Sequence, residues 1–162
     1  ITYEKISSSF DNSFDMTNMA FFGENLILDK ICEKDICVGD ILKIGQAKVQ
    51  ITQPRQPCWK LSANSLKNSM TKFIFETGLT GFYAKVLKEG QISQNDDVIL
   101  QQRTNPNLTI EKLNQIIVEP KIDINLTKEA LACEDLGHQF KNSLTKRYEL
   151  GDEDNQFSFY HT

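Results

Sequence analysis

The chain has 162 residues, 40% of them hydrophobic and 25% charged, which suits one soluble globular unit with material for a real core. A net charge of −4 with no basic block gives nucleic-acid binding little electrostatic support, and no apolar run approaches the roughly 18–20 residues of a membrane span. The N-terminus has no signal-peptide pattern, and four scattered cysteines (Cys32, Cys37, Cys58, Cys133) read as reduced thiols in a cytoplasm. Residues 1–22 are rich in Ser, Asn and Asp, with Phe10, Phe14, Met16, Met19, Phe21 and Phe22 among them. They predict an irregular lead-in that docks on something. Gly23 to Leu28 reads as a turn entering a short strand.

Ile41-Leu42-Lys43-Ile44, then Gly45-Gln46, then Ala47 to Thr52 predict a β-hairpin, because Ala47, Val49 and Ile51 alternate with Lys48, Gln50 and Thr52. This strand runs into Gln53-Pro54-Arg55-Gln56-Pro57-Cys58-Trp59-Lys60-Leu61. Each proline fixes its own φ and pushes the preceding residue out of the helical region. The segment is therefore a stiff loop that presents Arg55, one of three arginines, beside a thiol and the single tryptophan. Leu66, Met70, Phe73 and Ile74 then predict one amphipathic helix, capped by Ser62 or Asn64 and ended by Gly78. Strands follow at Phe82–Leu87 and Val98–Gln101, with turns at Glu89-Gly90 and Asn95–Asp97.

Beyond Arg103-Thr104-Asn105-Pro106 the pattern turns helical: Ile110, Leu113 and Ile117 after a Thr109 cap, Ala130 and Leu131 after a Thr127 cap, then Phe140, Leu144 and Tyr148. The expected class is mainly β with α (α+β). The expected division is a β-rich region over 1–103, a small three-helix region over 104–150 and an acidic, aromatic tail over 151–162.

Cys58 leads the candidates for chemistry. Arg55 and Lys60 flank it and a helix start follows, all of which favour a thiolate and an anion. The competing reading is a buried apolar filler beside Trp59, since free cysteine is among the most buried residue types. Arg55 divides similarly, between an anion anchor and a loop tie. Glu24 and Asn25 can offer an acceptor and an amide to a heterocycle, but read first as a turn. Gly78 and Gly81 read first as punctuation. Cys32, Cys37 and Cys133 fit no metal spacing, and His138 reads as a helix-surface residue.

Taken together, Gly23-Glu24-Asn25-Leu26, Val38-Gly39-Asp40 with Ile44-Gly45, the Gln53–Leu61 loop and Thr77-Gly78-Leu79-Thr80-Gly81-Phe82-Tyr83-Ala84-Lys85-Val86-Leu87 follow the order of a MOSC domain. That domain is named for the C-terminal region of molybdenum-cofactor sulfurase. The chain most resembles the bacterial YiiM-like branch over about residues 20–150, in which a three-helix domain follows the barrel. The resemblance implies a β-barrel that binds the molybdenum cofactor, with Cys58 as metal ligand and catalytic residue. Arg55, Lys60, Glu24, Asn25 and Gly81 would be cofactor-binding. It implies reduction of N-hydroxylated compounds such as hydroxylaminopurines, with electrons from a partner reductase protein. The alternative is a non-catalytic carrier of the cofactor or of a Cys58 persulfide. The family has a longer segment before Gly-Glu-Asn, with a His-Gly-Gly-type motif, so the first barrel strands are expected to be missing and the barrel edges open.

Overall fold

The computed structural model describes residues 2–10, 20 and 22–150. The expectations for the tail over 151–162, and for Phe14, Met16, Met19 and Phe21, lie outside the described residues.

The lead-in is not wholly irregular, since Thr2–Ser9 forms a helix, α1. Eight residues with three serines at the C-terminal end would not hold a helix alone. Tertiary contact supplies what propensity lacks: Ile6 is buried with Leu61, Met70 and Ile74, and Phe10 meets Phe73 edge-on at 5.0 Å. No strand forms over Gly23–Leu28, where the chain stays irregular.

The predicted hairpin is present. β1 (Ile41–Ile44) pairs antiparallel with β2 (Ala47–Pro54), and Ile44 faces Ala47 across the Gly45-Gln46 turn. Gly45 at φ +53 takes the left-handed first position of such a two-residue loop. β3 (Phe82–Lys88) adds to the far side of β2 and β4 (Val98–Gln102) to the far side of β1, giving the order β3-β2-β1-β4 with every pair antiparallel. The α+β class is met, but the four strands do not close a barrel. β3 and β4 are edge strands, and Tyr83, Val86, Leu87, Ile99 and Leu100 on them are exposed.

The single helix expected after the loop is two: α2 (Lys60–Ser65) and α3 (Met70–Thr77). Leu66 sits between them at φ +54 and is 89% exposed, so it belongs to no apolar stripe. Local hydroxyl bonds make the break: Ser65 Oγ accepts from Lys67 N, and Ser62 Oγ accepts from Thr71 N at 3.0 Å. Ser62 thus satisfies an amide of the second helix from within the first. Gly78 ends α3 at φ +68, as expected.

Three helices follow: α4 (Ile110–Val118), α5 (Ile124–Ala132) and α6 (His138–Leu150). Thr109 caps α4 as predicted, but Asp123 caps α5. Thr127 lies inside α5, buried, its hydroxyl donating to the Pro120 carbonyl at 2.7 Å. One apolar cluster joins Leu42, Ile44, Val49 and Ile51 of the sheet to Leu113, Ile116, Ile117, Leu126, Ala130, Phe140 and Leu144 of these helices. Asp40, fully buried, receives a bidentate bond from Arg103 at 3.0 and 2.7 Å, which ties the entry of β1 to the chain leaving β4.

Candidate functional site

The Arg55–Cys58 loop leaves the end of β2, next to the start of β3. Pro54 at the strand's end faces Phe82, the first residue of β3. One step further, the Arg55 N–H donates to the Gly81 carbonyl at 3.1 Å. Two of the predicted residues are therefore joined through backbone.

Gly81 is itself held. Its N–H donates to Glu33 Oε1 at 3.0 Å, and Glu33 is only 6% exposed. Thr80 Oγ1 donates to the Gly81 carbonyl, and Asn114 of α4 donates to Thr80 Oγ1 at 2.9 Å and to the Gly78 carbonyl at 2.8 Å. Gly81 has φ +70, and a Cβ built there would meet no atom within 4 Å. Space beside it is open, so backbone conformation is what calls for glycine at this point.

The other end of the loop is pinned as well. Thr71 Oγ1 donates to the Cys58 carbonyl at 3.0 Å, and Ser143 of α6 donates to Gln56 Oε1 at 3.3 Å. Pro57 is buried, while Cys58 is half-buried and a free thiol. The other three cysteines are buried free thiols, in line with their expected burial role. The purely buried reading of Cys58 therefore gives way. The helix after it has six residues, too few for the strong terminal field anticipated for a phosphate.

No described residue neutralises the loop cations. Neither the Arg55 guanidinium nor the Lys60 ammonium has a hydrogen bond or ion pair among the described residues. Lys60 is exposed on the first turn of α2, beside Trp59, which is 66% exposed.

Glu24 is engaged on both oxygens. The Tyr3 hydroxyl donates to Oε1, and the Phe22 N–H donates to Oε2 at 3.1 Å. The Tyr3 ring stacks on Phe22 with centroids 5.3 Å apart. Burial, with the Glu24 carboxylate beside it, pushes the Tyr3 phenol well above its ordinary value, while the charge of Arg55 acts the other way. Tyr3 thus feels both the Glu24 carboxylate, which it touches, and the charge of Arg55. Asn25 is exposed and joins no hydrogen bond to this group.

Glu33, Asn114 and Tyr3 were missed by sequence reasoning. Asn114 falls at a polar position inside an apolar helix stripe, which is a signal once the stripe is traced. Glu33 and Tyr3 lie in irregular or serine-rich stretches and carry none. His138 is exposed at the start of α6, as predicted, and among the described residues no three His, Cys, Asp or Glu side chains cluster to hold a bare metal ion.

The sequence matches the MOSC domain family over residues 2–99. It is 32% identical over 128 residues to the uncharacterized protein YflK of Bacillus subtilis, covering 79% of this chain and 58% of that protein. It is 29% identical over 116 residues to a protein named "Reductase" from Gibberella moniliformis, covering 71% of this chain but 21% of that one. The crystal structure of YiiM from Geobacillus stearothermophilus superposes with a TM-score of 0.80 at 32% identity, over 90% of this chain and 74% of that one. The chain therefore spans little over half of YflK and about a fifth of the reductase. With motifs, sheet, helices and family match in agreement, the chain belongs to the MOSC domain family, in its YiiM-like branch.

Proposed function

We propose that the protein binds the molybdenum cofactor at the Arg55–Cys58 loop and acts as an oxidoreductase on N-hydroxylated compounds, releasing the amine and water. The observation that carries the reading is a half-buried free thiol on a loop pinned at both ends, beside an arginine with no partner among the described residues. These residues fit such a group. Arg55 and Lys60 offer a phosphate positive charge that no described residue neutralises, Cys58 offers a soft sulfur, and no described atom lies within 4 Å of where a Cβ on Gly81 would stand. Cys58 would be one metal ligand, the others arriving with the cofactor.

When bound, the cofactor supplies the redox chemistry, and the chain's own task is binding and orientation. Arg55, fixed by its N–H bond to Gly81, sets where the phosphate lies. Thr71, holding the Cys58 carbonyl, fixes the backbone that carries the sulfur. Electrons would come from a separate reductase protein. The "Reductase" relative supports this class of activity in the family. A cytoplasmic setting suits a thiol that must stay reduced.

The test is cofactor content and turnover together. Protein from cofactor-competent cells should carry molybdenum and pterin, and with an artificial electron donor should convert a hydroxylaminopurine to the aminopurine. Cys58→Ser should lose turnover, and Arg55→Ala should lose bound pterin. Cofactor held without turnover by the unsubstituted protein would favour the carrier reading. Equal metal and pterin in wild type and both variants would overturn the site assignment.

A further inference from the structure

Packing does not hold Gly81 in place. Glycine ranges over more backbone conformations than any other residue, Gly81 sits at φ +70, and no described atom lies within 4 Å of where its Cβ would stand. Its conformation is therefore set by hydrogen bonds. On the carbonyl side Thr80 Oγ1 and the Arg55 N–H both donate, at 2.9 and 3.1 Å. On the amide side the acceptor is Glu33 Oε1 at 3.0 Å, from 48 residues earlier in the chain. Glu33 is 6% exposed and belongs to none of the motifs that mark the loop.

Glu33 is itself firmly seated. It lies in a turn closed by the Asp35 N–H on the Cys32 carbonyl at 2.9 Å and by the Cys32 N–H on Asp35 Oδ2 at 3.0 Å. Arg103 donates to the Asp35 carbonyl at 2.7 Å, and the Glu111 N–H of α4 donates to the Glu33 carbonyl at 3.0 Å. The result is a continuous run of contacts from the turn to Glu33, from Glu33 to the Gly81 N–H, and from the Gly81 carbonyl to the Arg55 N–H.

We propose that Glu33 is a positioning residue for the anion site: through Gly81, its carboxylate fixes the backbone from which Arg55 meets a phosphate-class anion. The role rests on the anion reading of Arg55 given above. It calls for an acceptor at the right reach, and a carboxylate is a stronger acceptor for an amide than a neutral oxygen.

The probe is inorganic pyrophosphate, titrated calorimetrically against the chain at low salt. Three substitutions separate reach from charge. Glu33→Gln keeps an acceptor oxygen at the same reach and loses the charge, so affinity should stay within about twofold of wild type. Glu33→Asp keeps the charge but falls one methylene short of the Gly81 N–H, and Glu33→Leu keeps the size with no acceptor. Both should weaken binding, by about threefold to tenfold. Glu33→Asp decides the matter should Glu33→Leu not fold. Ile44→Val trims the core at the far end of the hairpin and should lower the urea midpoint with affinity unchanged. Glu33→Asp binding like wild type would overturn the inference, and so would Glu33→Gln weakened as far as Glu33→Asp. An equal loss of affinity in Ile44→Val would also overturn it, because general loosening would then be the cause. If Arg55→Ala abolishes binding in any of these cases, the anion site itself stands. Arg55→Ala without effect removes that site, and this inference with it.

Discussion

Asn114→Leu isolates the hold of the helices on the site. Asn114 is buried in α4, and its Nδ2 donates both protons, to the Gly78 carbonyl at 2.8 Å and to Thr80 Oγ1 at 2.9 Å. Leucine keeps the branched shape and heavy-atom count and is a better helix former by roughly 0.4 kcal/mol, so α4 itself should not suffer. What disappears is a pair of hydrogen bonds, each worth about 0.5–1.5 kcal/mol net, and the Gly78 carbonyl and Thr80 hydroxyl lose a partner in a part-buried place. Offsetting these terms leaves a loss of about 1–2 kcal/mol, or roughly 3–6 °C in Tm for a domain of this size. Urea denaturation at neutral pH, with thermal melting beside it, reads the change. Pyrophosphate affinity should fall as well, because the loosened segment ends at Gly81, whose carbonyl fixes Arg55. A variant within about 0.3 kcal/mol of wild type, binding pyrophosphate normally, would show that α4 does not set the Gly78–Gly81 conformation and would refute this reasoning.

Arg103→Met should cost about 3 kcal/mol, seen as a lower urea midpoint, because it strands the fully buried Asp40 carboxylate; Arg103→Met with Asp40→Leu should recover part of that loss. Stability should fall at alkaline pH. Burial raises the Cys32 and Cys37 thiols, so their contribution is present below the ordinary thiol value near about 8.5 and is lost as pH rises through the folded-state values. Urea midpoints at about pH 8 and about pH 10 should therefore differ less in Cys37→Ala, and an undiminished difference would exclude Cys37 as a cause. Iodoacetamide on the native protein should label Cys58 before the other three cysteines, which are buried, and mass spectrometry of the digested product checks the order.

The hairpin was legible because its alternation is local and its turn carries glycine, and the Gly78 stop and Thr109 cap were legible for the same reason. The site loop was legible through its two prolines, whose stiffness acts within the segment. Errors arose where distant contacts override local preference. α1 contains three serines, yet it forms because Ile6 finds Leu61, Met70 and Ile74. The stripe from Leu66 to Ile74 has helical spacing, yet hydroxyl bonds from Ser62 and Ser65 break it, and spacing alone cannot register a competing side-chain acceptor. Thr127 has the residue type of a cap, whereas Asp123, four residues earlier, has the extended backbone that capping needs.

The helices after residue 109 do more than fill the core, because, apart from the bond of Thr71 to the Cys58 carbonyl, the restraints on the site loop trace back to them or to the strand they cover. Gly137, immediately before α6, donates to the Thr52 carbonyl at 3.0 Å and packs so close to Gln53 that any Cβ there would collide with its side chain. That contact fixes the end of β2. Ser143 of α6 then reaches Gln56 inside the loop, Asn114 of α4 fixes the turn before β3, and the Glu111 N–H of α4 holds the Glu33 carbonyl at 3.0 Å while the Glu33 carboxylate holds Gly81. The backbone around Arg55 and Cys58 is thus restrained from the core side, whereas the guanidinium and the thiol are left without partners among the described residues. Rigid support beneath unsatisfied side chains is what a preorganised binding site requires, since the ordering cost is met during folding and not when the ligand arrives.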